Sequence, residues 1–249
     1  MVKIKATKSN KTPETKVQSS LENEKNITTG SLLDDVDLLW ANLENYIKKN
    51  YKTVSYLSVA VFLIISALVG GKYYLNYQDK EAQAAMFQAQ FYFESDSLNK
   101  ALNGDGNNLG FLEIIDNYPF TKSSALASLY AGIIYLKQEK YDEAIEYLKK
   151  YNNNDLILQS RAYCLIGDAY MEMGEFNEAC TYYEKAANYK PNKQFTPEYL
   201  MKWALALEKL ERKKEALRCY EKVIVKYPNS TKANDAKRLK GFIEAQLGK

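Results

Sequence analysis

Cys164, Cys180 and Cys219 are the side chains of this sequence with the widest chemical reach. As thiolates they could attack an electrophile or bind a soft metal. A catalytic thiol usually draws on a neighbouring base, and the 249 residues contain no histidine. That absence removes the commonest general base and the commonest zinc ligand together. Three cysteines, odd in number and widely spaced, suggest neither a disulfide framework nor a metal knuckle. Acidic pairs such as Asp142/Glu143 and Glu172/Glu175 fall at ordinary helix spacing in turns and on solvent faces. They read as solvated charge, not as a general acid and base. Gly104-x-Gly106 follows no strand and lacks a phosphate-loop pattern, so it does not indicate nucleotide binding. The net charge of +3 and the lack of a basic stripe with interleaved aromatics argue against nucleic acid. No catalytic residue, cofactor, metal or small-molecule substrate is expected.

What the sequence does carry is a packing pattern. The apolar content of 46% is ordinary for a globular chain, and most of the 21 tyrosines fall on helical faces. Between Arg161 and Pro191 stand Tyr163, Ile166, Gly167, Tyr170, Gly174, Phe176, Ala179, Tyr183, Ala186 and Pro191. Gly167 and Ala179 let two antiparallel helices approach closely, Gly174 opens the turn between them, and Pro191 ends the second. Gly132, Tyr135, Tyr141, Ala144 and Leu148 repeat this register, with Ala144 lying 35 residues before Ala179. Ala204, Leu207, Ala216, Tyr220, Val223 and Pro228 repeat it again, with Ala216 at 37 residues after Ala179 because the connection Asn192–Pro197 is longer. Upstream, Glu81 to Phe93 carries a close-packing stripe of Ala82, Ala85, Ala89 and Tyr92. Ser95 to Asn108 reads as a loop, and Phe111, Ile114 and Pro119 match Tyr183, Ala186 and Pro191. Ser230 is placed to cap a last helix reaching Leu247. This spacing resembles the tetratricopeptide repeat (TPR), a helix–turn–helix unit of about 34 residues. The expected fold is all-α: a TPR-like solenoid of helical hairpins over 81–249. It has a degenerate unit at 81–119, units at about 125–156, 160–192 and 197–229, and a capping helix at 230–247.

The N-terminal part is different. Residues 1–30 form a polar, Lys-rich tail too poor in apolar groups to offset its chain entropy, and they read as disordered. Two sequons, Asn26-Ile27-Thr28 and Asn229-Ser230-Thr231, are patterns short enough to arise by chance. Over 31–50, Leu32, Val36, Leu39, Leu43 and Ile47 recur at helical spacing against Asp34, Asp35, Asp37 and Glu44. This predicts an amphipathic juxtamembrane helix that lies near a membrane or continues into the next segment; a partner-docking helix is the alternative. Thr53 to Gly71 holds no charge, and about 19 residues of helix at ~1.5 Å each cover the ~30 Å hydrocarbon core. A single transmembrane helix over 53–76 follows, flanked by lysines and by Tyr51, Tyr56, Tyr73, Tyr74 and Tyr77. Its position and length do not fit a cleavable signal peptide. The lysine excess ahead of it places the N-terminus in the cytoplasm and the repeats outside.

In a TPR array the first helix of each unit lines the concave face. The groove positions of that family fall here on Leu126, Leu129, Ile133 and Leu136, then on Arg161, Cys164, Asp168 and Met171, then on Glu198, Met201, Leu205 and Glu208. The Lys and Asn with which some TPR domains clamp a C-terminal carboxylate are missing. An apolar groove suits a hydrophobic or amphipathic peptide, unless a neighbouring helix covers it. Tail, span and repeats together resemble the bacterial membrane-anchored TPR proteins related to the ancillary subunit of the Sec translocon. Ala85–Tyr92, Ser95-Asp96-Ser97-Leu98, Ala101-Leu102-Asn103-Gly104, Phe111-Leu112-Glu113-Ile114-Ile115 and Tyr130-Ala131-Gly132 carry this likeness. It implies a single-pass inner-membrane protein with periplasmic repeats that contact the translocon, envelope chaperones or secretory substrates. The expected function is a non-enzymatic, membrane-tethered interaction scaffold in envelope protein translocation. The second reading is a structural component of another envelope assembly or secretion complex.

Overall fold

The computed structural model describes residues 36–248, whose regular elements are all helices with no strand among them. The proposed tail, 1–30, lies outside the described residues. The chain divides at Gly70 into two compact units. In the first, helix α1 spans 36–49 and α2 (Tyr51–Glu94) begins after the turn residue Asn50. Asn50 closes one helix and opens the next: its N–H donates to the Tyr46 carbonyl, and its own carbonyl accepts from Val54. The apolar side chains of α2 from Leu57 to Val69 are exposed. By length and composition α2 could cross a membrane. The helix does not stop near residue 76, as the spacing predicts, but runs to Glu94.

The second unit is a succession of helical hairpins. After α2 come α3 (Leu98–Asn103), α4 (Phe111–Asn117), α5 (Lys122–Lys137), α6 (Tyr141–Lys150), α7 (Leu158–Glu172), α8 (Phe176–Asn188), α9 (Thr196–Lys209), α10 (Lys213–Lys226) and α11 (Ala233–Gln246). One turn recurs four times. Asp96, Glu139, Gly174 and Glu211 all adopt left-handed backbone, with φ of 55, 62, 77 and 56°. The next amide in each case reaches back to a carbonyl five residues earlier: Ser97 to Tyr92 at 2.8 Å, and Lys140 to Tyr135, Glu175 to Tyr170 and Arg212 to Leu207 at 2.9 Å. These bonds satisfy carbonyls that the helix end leaves open. Five residues after each turn stands a fully buried alanine, Ala101, Ala144, Ala179 or Ala216. Opposite them the hairpins close on small residues. A Cβ at Gly132 would lie 2.6 Å from Leu148, and one at Gly167 would lie 2.7 Å from the Tyr183 ring.

This turn register corrects the reading of the first hairpin. Ser95–Asn108 is not simply a loop, because it contains α3. Ala101 and Phe111 stand ten positions apart where Ala179 and Tyr183 stand four apart, so six residues interrupt the second helix and leave α3 and α4 as its halves. The interruption is ordered around Asp105, whose carboxylate accepts from the Tyr92 hydroxyl and from the amides of Asn107 at 2.9 Å and Asn108 at 2.7 Å. Those donors, Tyr92 foremost, hold the Asp105 carboxyl well below the usual range. At the other end, α11 starts at Ala233 rather than at Ser230. The Ser230 hydroxyl instead accepts from the Lys232 amide at 3.2 Å, forming a tight turn ahead of the helix. Ala233, Ala236 and Ile243 are the buried side of α11.

Candidate partner-binding groove

The first helices of the repeats position the groove. Counting from the shared turns, Gln83, Met86 and Gln90 of α2 hold the places of Leu126, Leu129 and Ile133 of α5: the offset is 43, the same as from Asp96 to Glu139. The α2 row and Leu126 of α5 meet at a cavity of about 330 Å³. Gln83, Met86 and Gln90 line one wall, with Ser123 and Leu126 of α5, Leu158 of α7, and Tyr151, Asn153 and Asp155 of the α6–α7 connection around them. The Asp79 carboxylate anchors the start of α5 by accepting from the Ser123 amide at 2.8 Å. Gln159 accepts from the Asn153 amide at 2.8 Å and so fixes the connection. The Gln83 and Gln90 amides can both donate and accept, which suits the backbone of an extended chain, and Leu126 and Leu158 offer an apolar seat beside them.

The predicted groove residues divide into four groups. Leu126 borders the cavity, Arg161 and Glu198 are exposed, and Leu205 is 48% exposed. Ile133, Leu136, Met171 and Met201 are half-buried against the core. Leu129 and Cys164 are core residues, 3% and 5% exposed, so neither is available as a contact surface in the way the register predicts. Asp168 and Glu208 are tied into the structure. Asp168 accepts from the Tyr183 hydroxyl at 2.7 Å and pairs with Lys202 of the next repeat at 2.7 Å. Glu208 accepts from the Tyr220 hydroxyl. The sequence reading does not single out Gln83, Gln90 or Lys202. The two glutamines are found by counting back from Ala101, whereas the pairing of Lys202 needs the stacked repeats.

Burial pushes the Cys164 thiol up to about 12, with Asp168 adding to the shift and Lys202 opposing it. Burial likewise raises Cys180, and it raises Cys219 to about 12. Protonated thiols of this kind are poor nucleophiles at neutral pH. Burial works against the charge on Lys202, but Cys164 and Asp168 outweigh it and raise its affinity for the proton. Burial, reinforced by Asp168, raises Tyr183 well above the ordinary tyrosine range. A second cavity, about 510 Å³, lies between α8, α9 and α10, with Cys180, Cys219, Trp203 and Leu207 in its wall. At its rim Arg212 grips Glu215 through two bonds of 2.7 and 2.8 Å. It lies apart from the row of first-helix positions.

The tetratricopeptide repeat family models match residues 126–155, 160–193 and 198–230. No curated protein matches the chain. Among solved structures, the chain is similar to YrrB, described as a TPR protein with an unusual peptide-binding site. The identity is 19% and the TM-score 0.51, covering 66% of this chain and 76% of that one. It is similar to MamA at 19% identity and TM-score 0.52, covering 67% and 82%. A Podosopora anserina protein with nearly identical TPR-like repeats aligns at 11% identity and TM-score 0.53, covering 68% and 88%. At these identities the likeness is one of fold. From α5 to α10, the helical hairpins of this chain match the tetratricopeptide repeat models.

Proposed function

We propose that the protein is a non-enzymatic, membrane-tethered scaffold whose repeats hold a peptide segment of a partner protein in envelope protein translocation or a periplasmic chaperone network. The observation that carries this reading is the cavity on the first-helix rows, where Gln83 and Gln90 stand beside Leu126 and Leu158. Amides for a backbone next to an apolar seat make a surface for a protein chain. The similarity in fold to YrrB, a protein described as having a peptide-binding site, is in keeping with this. The tether is α2, whose uncharged stretch from Thr53 to Gly71 leaves its apolar side chains exposed. Translocation enters through the resemblance to the ancillary translocon subunit family.

The test is affinity purification from detergent-solubilised membranes with the native chain and with a Gln83→Lys, Gln90→Lys, Leu205→Asp variant. All three positions are at least partly exposed, so the fold should survive, as circular dichroism would verify. A buried apolar contact is worth roughly 1.5–3 kcal/mol, so the variant should lose partners about tenfold or more. Enrichment of translocon subunits or chaperones by the native chain supports the role. Recovery of another stable envelope complex favours a structural part in that machine, and partners that the variant retains would remove the groove from the account.

A further inference from the structure

Helix α1 has a face that nothing in its own unit covers. At 3.6 residues per turn, Val36, Leu39, Trp40, Leu43, Tyr46 and Ile47 share one sector of about 120°. These six side chains are left 40–68% exposed. Asp37, Glu44 and Lys48 occupy the other side, where Lys48 pairs with Glu44 at 2.6 Å. A single turn residue, Asn50, separates α1 from α2, with its N–H donating to the Tyr46 carbonyl and its carbonyl accepting from Val54.

We propose that the apolar face of α1 lies in the headgroup boundary of a lipid bilayer, as an interfacial helix parallel to the surface. The inference rests on the reading of α2 as a membrane span. Only Asn50, Tyr51 and Lys52 separate Lys49 from the uncharged stretch beginning at Thr53. Three residues reach at most about 10 Å, so α1 ends within the headgroup layer or beside it once that stretch enters the hydrocarbon. Trp40 and Tyr46 are residue types that favour this depth, and Lys48, Lys49 and Lys52 stand where anionic headgroups would meet them. A soluble partner would have to compete with a lipid surface that the chain itself holds next to this face.

The chain has two tryptophans, Trp40 and Trp203, so Trp203→Phe leaves Trp40 as a single reporter. The full chain is reconstituted into phosphatidylcholine–phosphatidylglycerol vesicles that contain lipid brominated either high or low on the acyl chain. Trp40 emission should be blue-shifted, quenched more by the shallow bromine than the deep one, and protected from aqueous acrylamide. Leu43→Asp with Ile47→Asp should return it to water. A Trp40 that acrylamide reaches and neither lipid quenches would overturn the proposal. A Trp40 shielded from both would also overturn it, showing that a second copy or another part of the protein covers the face. Phe62→Trp in a Trp40→Phe, Trp203→Phe chain checks the span separately: if the deep bromine fails to quench it, the membrane reading itself has failed. Should Trp203→Phe not fold, the difference between the native chain and Trp40→Phe gives the same signal.

Discussion

Glu139 and Glu211 hold a left-handed backbone, φ 62° and 56°, at the turn position where the central repeat has Gly174. That conformation costs an L-residue about 1–2 kcal/mol, partly offset by the greater chain entropy that glycine loses on folding. Glu139→Gly and Glu211→Gly are each expected to stabilise the chain by about 0.5–1 kcal/mol in urea unfolding. Unchanged midpoints would mean that these turns relax elsewhere. Tyr183 gives a pH dependence. Its hydroxyl is buried and bonded to Asp168, so the folded chain keeps a proton that the unfolded chain releases above the ordinary tyrosine value of 10.0. The folded state then binds more protons, and stability falls as pH rises, by about 1.4 kcal/mol per pH unit for this group. Lys202, also raised, acts in the same direction above 10.5. Tyr183→Phe should flatten the alkaline limb of a stability–pH profile, and an unaltered slope would place the proton elsewhere. Gly167 and Tyr183 were legible in the sequence because their roles depend on spacing within one repeat. The Lys202–Asp168 pair was not, since it joins residues 34 positions apart on different repeats.

Helices α5 and α7 meet their partners at glycine, and α11 also carries one, Gly241, but for a different reason. A methyl group at Gly167 would press into the Tyr183 ring, whereas one at Gly241 would meet nothing within 4 Å. Gly167→Ala should therefore destabilise by about 1–3 kcal/mol through overpacking. Gly241→Ala should stabilise by roughly 0.5–1 kcal/mol through helix propensity. Thermal melting of the two variants side by side checks both signs. If both variants melt lower, Gly241 has a role that its surroundings do not reveal. The hairpins from α5 onward follow from the register of small and large residues. The first hairpin is harder to read, because six inserted residues separate Ala101 from Phe111 and hide the length of the unit. The groove row Gln83, Met86 and Gln90 was missed for the same reason.

At the scale of the whole molecule, the expectation concerns the two sides of a membrane. Lys48, Lys49 and Lys52 precede the uncharged stretch, while Lys72 and Lys80 follow it, with six more lysines in the segment before Gly30. A reporter active only in the periplasm, fused after Lys249, should work, and one active only in the cytoplasm should stay silent. The reverse pattern would turn the protein around and separate it from the translocon. The hairpins also bear on the order of events in time. From α3 onward each helix packs on its neighbours in the chain, with steps across two helices such as α3 to α5, α5 to α7 and α7 to α9. Contacts this local carry little loop-closure penalty, and chains made of them fold quickly. Each repeat can therefore close against the one before it as synthesis proceeds, while later helices are still being made. Such a chain never has to wait for its last residues before it buries its first core.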